Sequence, residues 1–267
     1  MDNRPIGVFD SGLGGLTAVR EIMREMPGED IIYFGDTGRV PYGNKGHETI
    51  LRYTKDDIGF LLRHNVKMII AACGTASSVA LPFLKGTYDV ELMGVLEPTC
   101  AEAVRITKNG RVGVIATMGT IKSGKYEEII HYISPEIKVF SKACPLFVPL
   151  AENNYANTEA ARLIAEDYLG CLKKENVDTL ILGCTHYPLL REVISGIMGK
   201  EVTLISSGEM AARAARAYLE KTNALSQKKS GGRKEFYVSD DAEGFAAAGG
   251  IFLGGHIEAK VFSAEEF

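Results

Sequence analysis

The sequence predicts an α/β protein built from two related parallel-sheet lobes, and three observations lead there. Short β-branched runs alternate with segments of helical period over almost all of the 267 residues, the signature of βα units around parallel sheets. Several of the strand-like runs are apolar on both faces, as strands in the middle of a helix-covered sheet must be. Two pairs of similar segments also recur at nearly one offset. MIIAACGTAS (68–77) and TLILGCTHYP (179–188) place their cysteines 111 positions apart, and IGVFDSGLGG (6–15) and VGVIATMGT (112–120) place Gly7 and Gly113 106 apart. Two matches in the same order point to a duplicated lobe.

The elements follow in turn. IGVF (6–9) is a short apolar strand that ends beside Asp10, and 16–26 carries Leu16, Val19, Ile22, Met23 and Met26 at helical spacing. DIIYF (30–34) is the second strand, 47–64 a long amphipathic helix, and KMIIAA (67–72) a strand that closes on Cys73. VELMGV (90–95) and a helix over 98–107 complete the first set. The second begins with RVGVIA (111–116) and continues through a helix over 121–132, the strand EIKVFS (136–141) and a helix over 158–175. DTLILG (178–183), a helix over 188–198, EVTLIS (201–206) and a helix over 209–221 repeat the alternation. After the polar stretch SQKKSGGRK (226–234), a last strand (234–239) and helix have no counterpart in the repeat. They are expected to return to the first lobe.

Composition narrows the function. With 46% hydrophobic and 24% charged residues and no long Pro/Gly or single-charge tract, the chain is of globular type. Its 30 basic and 34 acidic residues leave a formal charge of −4, which argues against a dedicated nucleic-acid binder. Apolar stretches break well short of the roughly 18 residues a spanning helix needs. The first strand begins too early for a signal peptide to precede it, so a cytoplasmic chain is expected. Five cysteines without a CxxC pair indicate neither a disulfide framework nor a zinc ribbon. Any special cysteine should act as a thiol.

In open parallel sheets ligands collect at the carboxyl ends of the strands, and Cys73, Cys184 and Asp10 all fall there. A thiol at a helix start is favoured as thiolate, so its pKa can drop below the free value of roughly 8.5. One from each lobe would face the other across a cleft. Cys100, Cys144 and Cys171 read as small buried hydrophobes. DSGLGG has the look of a phosphate loop but fits neither GxGxxG nor GxxxxGK[ST], and a substrate carboxylate suits the same cradle. Asp10 reads equally as an orienter of a base, an ammonium ligand or an N-cap. RVPYGN (39–44) presents Tyr42 and backbone amides at the same sheet edge. His186, two residues after Cys184, shares its site, whereas His47, His64, His131 and His256 read as solvated. No second Cys/His pair supports a metal site. Glu152, in the loop PLAENN, reads on spacing alone as a surface carboxylate, although it is able to reach the cleft.

ACGTAS, GCTHYP, FDSGLGG, GDTGRVPYG, GVLEP (94–98) and the Glu of PLAE, in this order over the full length, resemble the glutamate racemases of the aspartate/glutamate racemase superfamily. The resemblance implies two α/β lobes about a pseudo-twofold axis with the active site between them, the first formed by 1–97 plus 207–267 and the second by 98–206. It implies cofactor-independent racemisation, with no pyridoxal group or metal, by two acid/base groups on opposite sides of one carbon. Cys73 then acts on the D-enantiomer and Cys184 on the L-enantiomer. Asp10 assists Cys73, and Glu152 and His186 assist Cys184. Ser11, Tyr42, Gly43, Thr75 and Thr185 match positions that hold the amino and carboxylate groups, with Thr117 and Thr120 as additions; Asp10 and His186 border the same substrate. Two positions depart from the family. Gly74 stands where Asn is usual, so a backbone N–H, a water or a neighbouring side chain must take over that substrate contact. Asn153 and Asn154 follow Glu152 where EEG is usual, altering loop shape or the basicity of Glu152.

The resemblance further implies D-glutamate supply to peptidoglycan synthesis in a bacterial cytoplasm, a homodimer, and no membrane partner. It raises DNA gyrase as a partner that no feature of the sequence supports. Two other functions compete. An aspartate racemase shares the machinery and differs in pocket length. A bilobal binding protein would share cleft and hinge, but would have no purpose for opposed thiols.

Overall fold

The computed structural model describes residues 2–262. In chain order its elements are β1 (Ile6–Asp10), α1 (Leu16–Glu25), β2 (Ile31–Gly35), α2 (His47–Arg63), β3 (Met68–Ala71), α3 (Gly74–Val79), α4 (Leu81–Leu84), β4 (Glu91–Gly94) and α5 (Leu96–Ile106). There follow β5 (Arg111–Ala116), α6 (Met118–Lys122), α7 (Lys125–Ile133), β6 (Lys138–Ala143), α8 (Phe147–Glu152), α9 (Glu159–Lys174), β7 (Thr179–Leu182), α10 (Arg191–Met198) and β8 (Thr203–Ser206). The chain ends with α11 (Ser207–Lys221), β9 (Lys234–Val238), α12 (Ala242–Leu253) and β10 (Ala259–Val261).

Two all-parallel sheets result, a six-stranded one in the order β10-β9-β2-β1-β3-β4 and a four-stranded one in the order β6-β5-β7-β8. The order β2-β1-β3-β4 recurs as β6-β5-β7-β8, and the pairing of Gly7 with Ile69 recurs as Gly113 with Leu180. Sequence offset and strand register therefore describe one duplication. The central strands β1, β2, β3 and β7 are buried throughout. β6 lies at an edge and is half-exposed, so the expectation of strands apolar on both faces fails there. β9 returns to pair with β2, and α12 packs against α1.

One hydrophobic core runs between the sheets: Ile6, Val8, Val112 and Val114 of the strands meet Val19 and Ile22 of α1, Cys100 of α5 and Ala211 and Ala215 of α11. The helix pairs α1–α11 and α5–α11 pack directly. The outer faces carry their own cores, under α2 and α3 on one side and under α9 and α10 on the other. Because apolar burial is the main favourable term in folding, the shared inner layer ties the sheets into one unit and fixes how their strand ends face each other.

Some local expectations need correction. The single helix read over 121–132 is two, α6 and α7, separated by Gly124 at φ 66°, a left-handed conformation that ends a helix and suits glycine. The helix read from 188 starts as a 3₁₀ turn, Tyr187–Leu190, and is α-helical only from Arg191. The strand read over 136–141 lies two residues later, because Ile137 N–H closes a turn on the Ser134 carbonyl.

Candidate active site

The carboxyl ends of β1 and β3 in one sheet, and of β5 and β7 in the other, border a cavity of about 330 Å³. Cys73 and Cys184 both line it, one from each sheet, as do Ser11, Tyr42, Gly43, Gly74, Thr75, Thr117, Glu152, Thr185 and His186. Asp10 and Thr120 stand immediately behind the wall, bonded to Thr185 and Thr75 respectively.

Cys73 is the N-cap of α3: its sulfur accepts the Ala76 N–H at 3.5 Å, and its thiol points to Ser11 Oγ at 3.8 Å. The expectation of a depressed thiol is reversed. Burial, followed by the neighbouring Asp10 charge, pushes Cys73 up to about 12, against the opposing effect of those two hydrogen bonds. A six-residue helix offers too little field to offset removal from water.

Asp10 ends β1 with its carboxylate fully buried. Its Oδ2 accepts the Gly12 and Gly15 N–H groups at 3.1 and 3.0 Å, and Oδ1 accepts the Thr185 hydroxyl at 3.4 Å. Two amides of DSGLGG are thus occupied by the loop's own aspartate, which answers the sequence reading of an anion cradle. Burial raises the Asp10 carboxyl above its ordinary value, although nearby His186 and the two amides act the other way. Gly14 is needed for closeness: a Cβ there would sit 2.3 Å from Thr185 Oγ1 and 2.5 Å from the His186 ring. Thr17 Oγ1 donates to the Thr185 carbonyl at 2.8 Å and reinforces the same junction.

Cys184 follows β7 and lies 3.7 Å from His186 Nδ1, while His186 Nε2 lies 2.9 Å from Glu152 Oε1. Glu152 is the last residue of α8; its side chain is 36% exposed, as a surface carboxylate should be, and its contact with His186 brings it to the cleft. Burial of His186 works against its charge, but the bonds to Cys184 and Glu152 outweigh it and push the ring up to about 10. At neutral pH it is an imidazolium donating from both nitrogens. A raised histidine contributes fully to stability below its ordinary 6.5, and that contribution is lost as pH rises through about 10. Thermal unfolding followed by circular dichroism should therefore show Tm falling between pH 6.5 and 10, with a flatter profile in His186→Asn. An unchanged profile in the variant would contradict this assignment.

Three hydroxyls join the lobes at another wall. Thr75 Oγ1 lies 3.0 Å from Thr117 Oγ1 and 3.3 Å from Thr120 Oγ1, and Thr117 caps α6. Tyr42 lines the cavity, but its hydroxyl is taken by Asp36 and, at 3.0 Å, by Asp57. Only the remainder of the 3₁₀ turn Tyr42–Asn44 is left to meet a ligand. Arg39 anchors this turn, bonding Asp36 at 2.7 Å and Asp56 at 2.6 Å. Burial, with Asp36 alongside, holds the Asp57 carboxyl well above the usual range.

Sequence reasoning missed this carboxylate support, although GDTGR within the quoted motif was its signal. Val40, Pro41 and Asn44, of the RVPYGN loop already placed at this edge, also line the cavity, together with Met118, Pro145, Val148 and Pro149, which were not singled out. Cys100 and Cys144 are buried as expected, but Cys171 is exposed on α9. His64 and His131 are half-buried, bonding the Phe60 and Ile137 carbonyls at 3.0 and 2.9 Å, and are not simply solvated. Among the described residues no cluster of three or more His, Cys, Asp or Glu could hold a metal ion, and no helix is long and apolar enough to cross a membrane.

Two thiols from two parallel sheets on one cavity, each with an ionisable neighbour, define a racemase-type two-base site between α/β lobes. A family model described as Asp/Glu/Hydantoin racemase matches residues 14–215. The chain belongs to that family, and within it to the glutamate racemases. It is 47% identical to the glutamate racemase of Geobacter metallireducens over 254 residues, 95% of this chain and 94% of that one. The crystal structure of glutamate racemase isoform RacE1 from Bacillus anthracis superposes with a TM-score of 0.96 at 35% identity, covering 99% of both chains. That of Francisella tularensis glutamate racemase in complex with D-glutamate gives 0.93 at 37% identity, covering 100% of both.

Proposed function

We propose that this cavity racemises glutamate by a two-base mechanism, Cys184 serving the L-enantiomer and Cys73 the D-enantiomer. The observation that carries it is the pair of thiols contributed to one cavity by two different sheets. With L-glutamate, the Cys184 thiolate, paired with the His186 imidazolium, takes the α-proton and becomes a neutral thiol. Cys73, held neutral by burial, returns a proton to the opposite face. With D-glutamate the roles exchange, and Asp10 stands beside Cys73 to handle its proton. Ser11, Thr75, Thr185 and the backbone N–H groups of Tyr42 and Gly43 hold the amino and carboxylate groups, and Thr117 and Thr120 extend that set. Donors fixed at the α-carboxylate stabilise the negative charge developing on the substrate.

The lobes are taken as 1–97 with 207–267 and 98–206. On family grounds the product supplies D-glutamate to peptidoglycan synthesis in the cytoplasm, without a cofactor, and the chain acts as a homodimer. No feature of the described residues speaks for DNA gyrase as a partner. The test is circular dichroism at fixed wavelength with D- and L-glutamate and both aspartates, using dialysed protein without pyridoxal phosphate. The glutamate signal should decay to zero from either side, and the aspartate signal far more slowly. Decay confined to aspartate would move the substrate to the shorter amino acid, and no decay would favour a binding protein.

A further inference from the structure

Gly74 directly follows Cys73, and Gly183 directly precedes Cys184. A Cβ built on Gly74 would sit 2.4 Å from the Gly183 carbonyl oxygen, inside any real van der Waals contact, and the obstacle is backbone with no rotamer to move it aside. The same seam is tight on either side: a Cβ on Gly43 would meet Thr117 Cβ at 2.8 Å, and one on Gly119 the Gly43 carbonyl oxygen at 2.9 Å. The lobes thus touch through glycines around the cavity, and at Gly74 that contact lies between the two cysteine loops themselves.

We propose that Gly74 is a positioning residue that sets how far the lobes close, its bare Cα receiving the Gly183 carbonyl so that Cys73 and Cys184 reach the same substrate carbon. At this spacing of the lobes a side chain at position 74 has no room, since its Cβ meets the Gly183 backbone. Restoring ordinary contact at 3.4 Å requires the loops to part by about 1 Å. Misplacement of reacting groups by that amount costs on the order of 10²-fold in rate. Both directions suffer, since both thiols act on one carbon. The inference rests on the two-thiol reading above.

The test compares wild type, Gly74→Ala and Gly74→Asn, with kcat and KM from both glutamate enantiomers and iodoacetamide alkylation under saturating glutamate mapped by peptide mass spectrometry. The five cysteines supply internal references: Cys171 is exposed, Cys100 and Cys144 are fully buried and do not line the cavity, and Cys73 and Cys184 are 5% and 8% exposed. Expected are a loss of roughly 10- to 100-fold in kcat for Gly74→Ala and at least as much for Gly74→Asn. Alkylation of Cys73 and Cys184 should be several-fold faster in both variants, with Cys100 and Cys144 still protected.

Wild-type kinetics in Gly74→Ala, or a Gly74→Asn variant with kcat/KM above wild type, would overturn the proposal. So would alkylation of Cys100 and Cys144 as fast as Cys171, which would make Gly74 a requirement of the fold and not of closure. Absence of racemisation in the wild type would instead remove the underlying two-thiol reading, an outcome distinct from all of these.

Discussion

Replacing either Cys73 or Cys184 with serine is expected to abolish racemisation from both enantiomers, with kcat/KM falling by roughly 10³-fold or more. A hydroxyl is a far weaker acid than a thiol, so serine neither takes the α-proton nor shares the developing charge at a useful pH. The neighbours of the two cysteines differ, and so should the residual chemistry. Cys73→Ser keeps the Cys184–His186–Glu152 chain, with its 3.7 and 2.9 Å links, and should still exchange the α-proton of L-glutamate with deuterated water while retaining configuration. Cys184→Ser should do the same for D-glutamate alone. Polarimetry reads the loss of inversion, and mass spectrometry of the recovered substrate reads the exchange. A serine variant that retained a tenth of the wild-type rate would remove that cysteine from the proton path.

The duplicated strand order was legible because strand cores repeat at a constant offset and parallel pairing keeps that offset as register, Gly7 with Ile69 and Gly113 with Leu180. Both cysteines were legible for a related reason: a parallel strand points its carboxyl end at the cleft, so counting along an apolar run finds the site. Features set by convergence from afar were not. α3 is built of small and polar residues, GTASSV, with no apolar stripe to betray a helix. The Tyr42 hydroxyl is claimed by Asp36 and by Asp57, the latter fifteen residues along the chain, and no local pattern shows that the two carboxylates meet. Glu152 gains its partner from His186, thirty-four residues away. The ionisation of Cys73 was misjudged because helix position is visible in sequence and depth of burial is not. Cys171 points outward because the buried side of α9 runs through Ala161, Ala165, Leu169 and Leu172, a stripe that leaves position 171 off its face.

His186→Asn should lower kcat by roughly 10²-fold with little change in KM, because the ring acts on the Cys184 sulfur and on Glu152 and the loss is that of a proton-handling group. The fall cannot be confined to one direction. Enantiomers have equal free energies in achiral solvent, so the two kcat/KM values are bound to remain equal however lopsided the damage. The lopsidedness appears instead in isotope effects. With α-deuterated L-glutamate, transfer from carbon to Cys184 is the weakened step, and its isotope effect on kcat/KM should rise towards the limiting value. With α-deuterated D-glutamate, abstraction by Cys73 comes before the slowed step, and the effect should shrink. Unchanged isotope effects beside a lower kcat would mean that His186 supports the fold of the cleft and not the proton path. The wild-type site meets the same constraint with dissimilar parts: an imidazolium serves one sulfur, and a buried carboxylate lies beside a thiol pushed up to about 12 on the other side. Since neither enantiomer is favoured in solution, any advantage that His186 gives to deprotonation at Cys184 applies equally to the reverse delivery of that proton. An unsymmetrical site can therefore be efficient in both directions, provided its two transition states are of similar height.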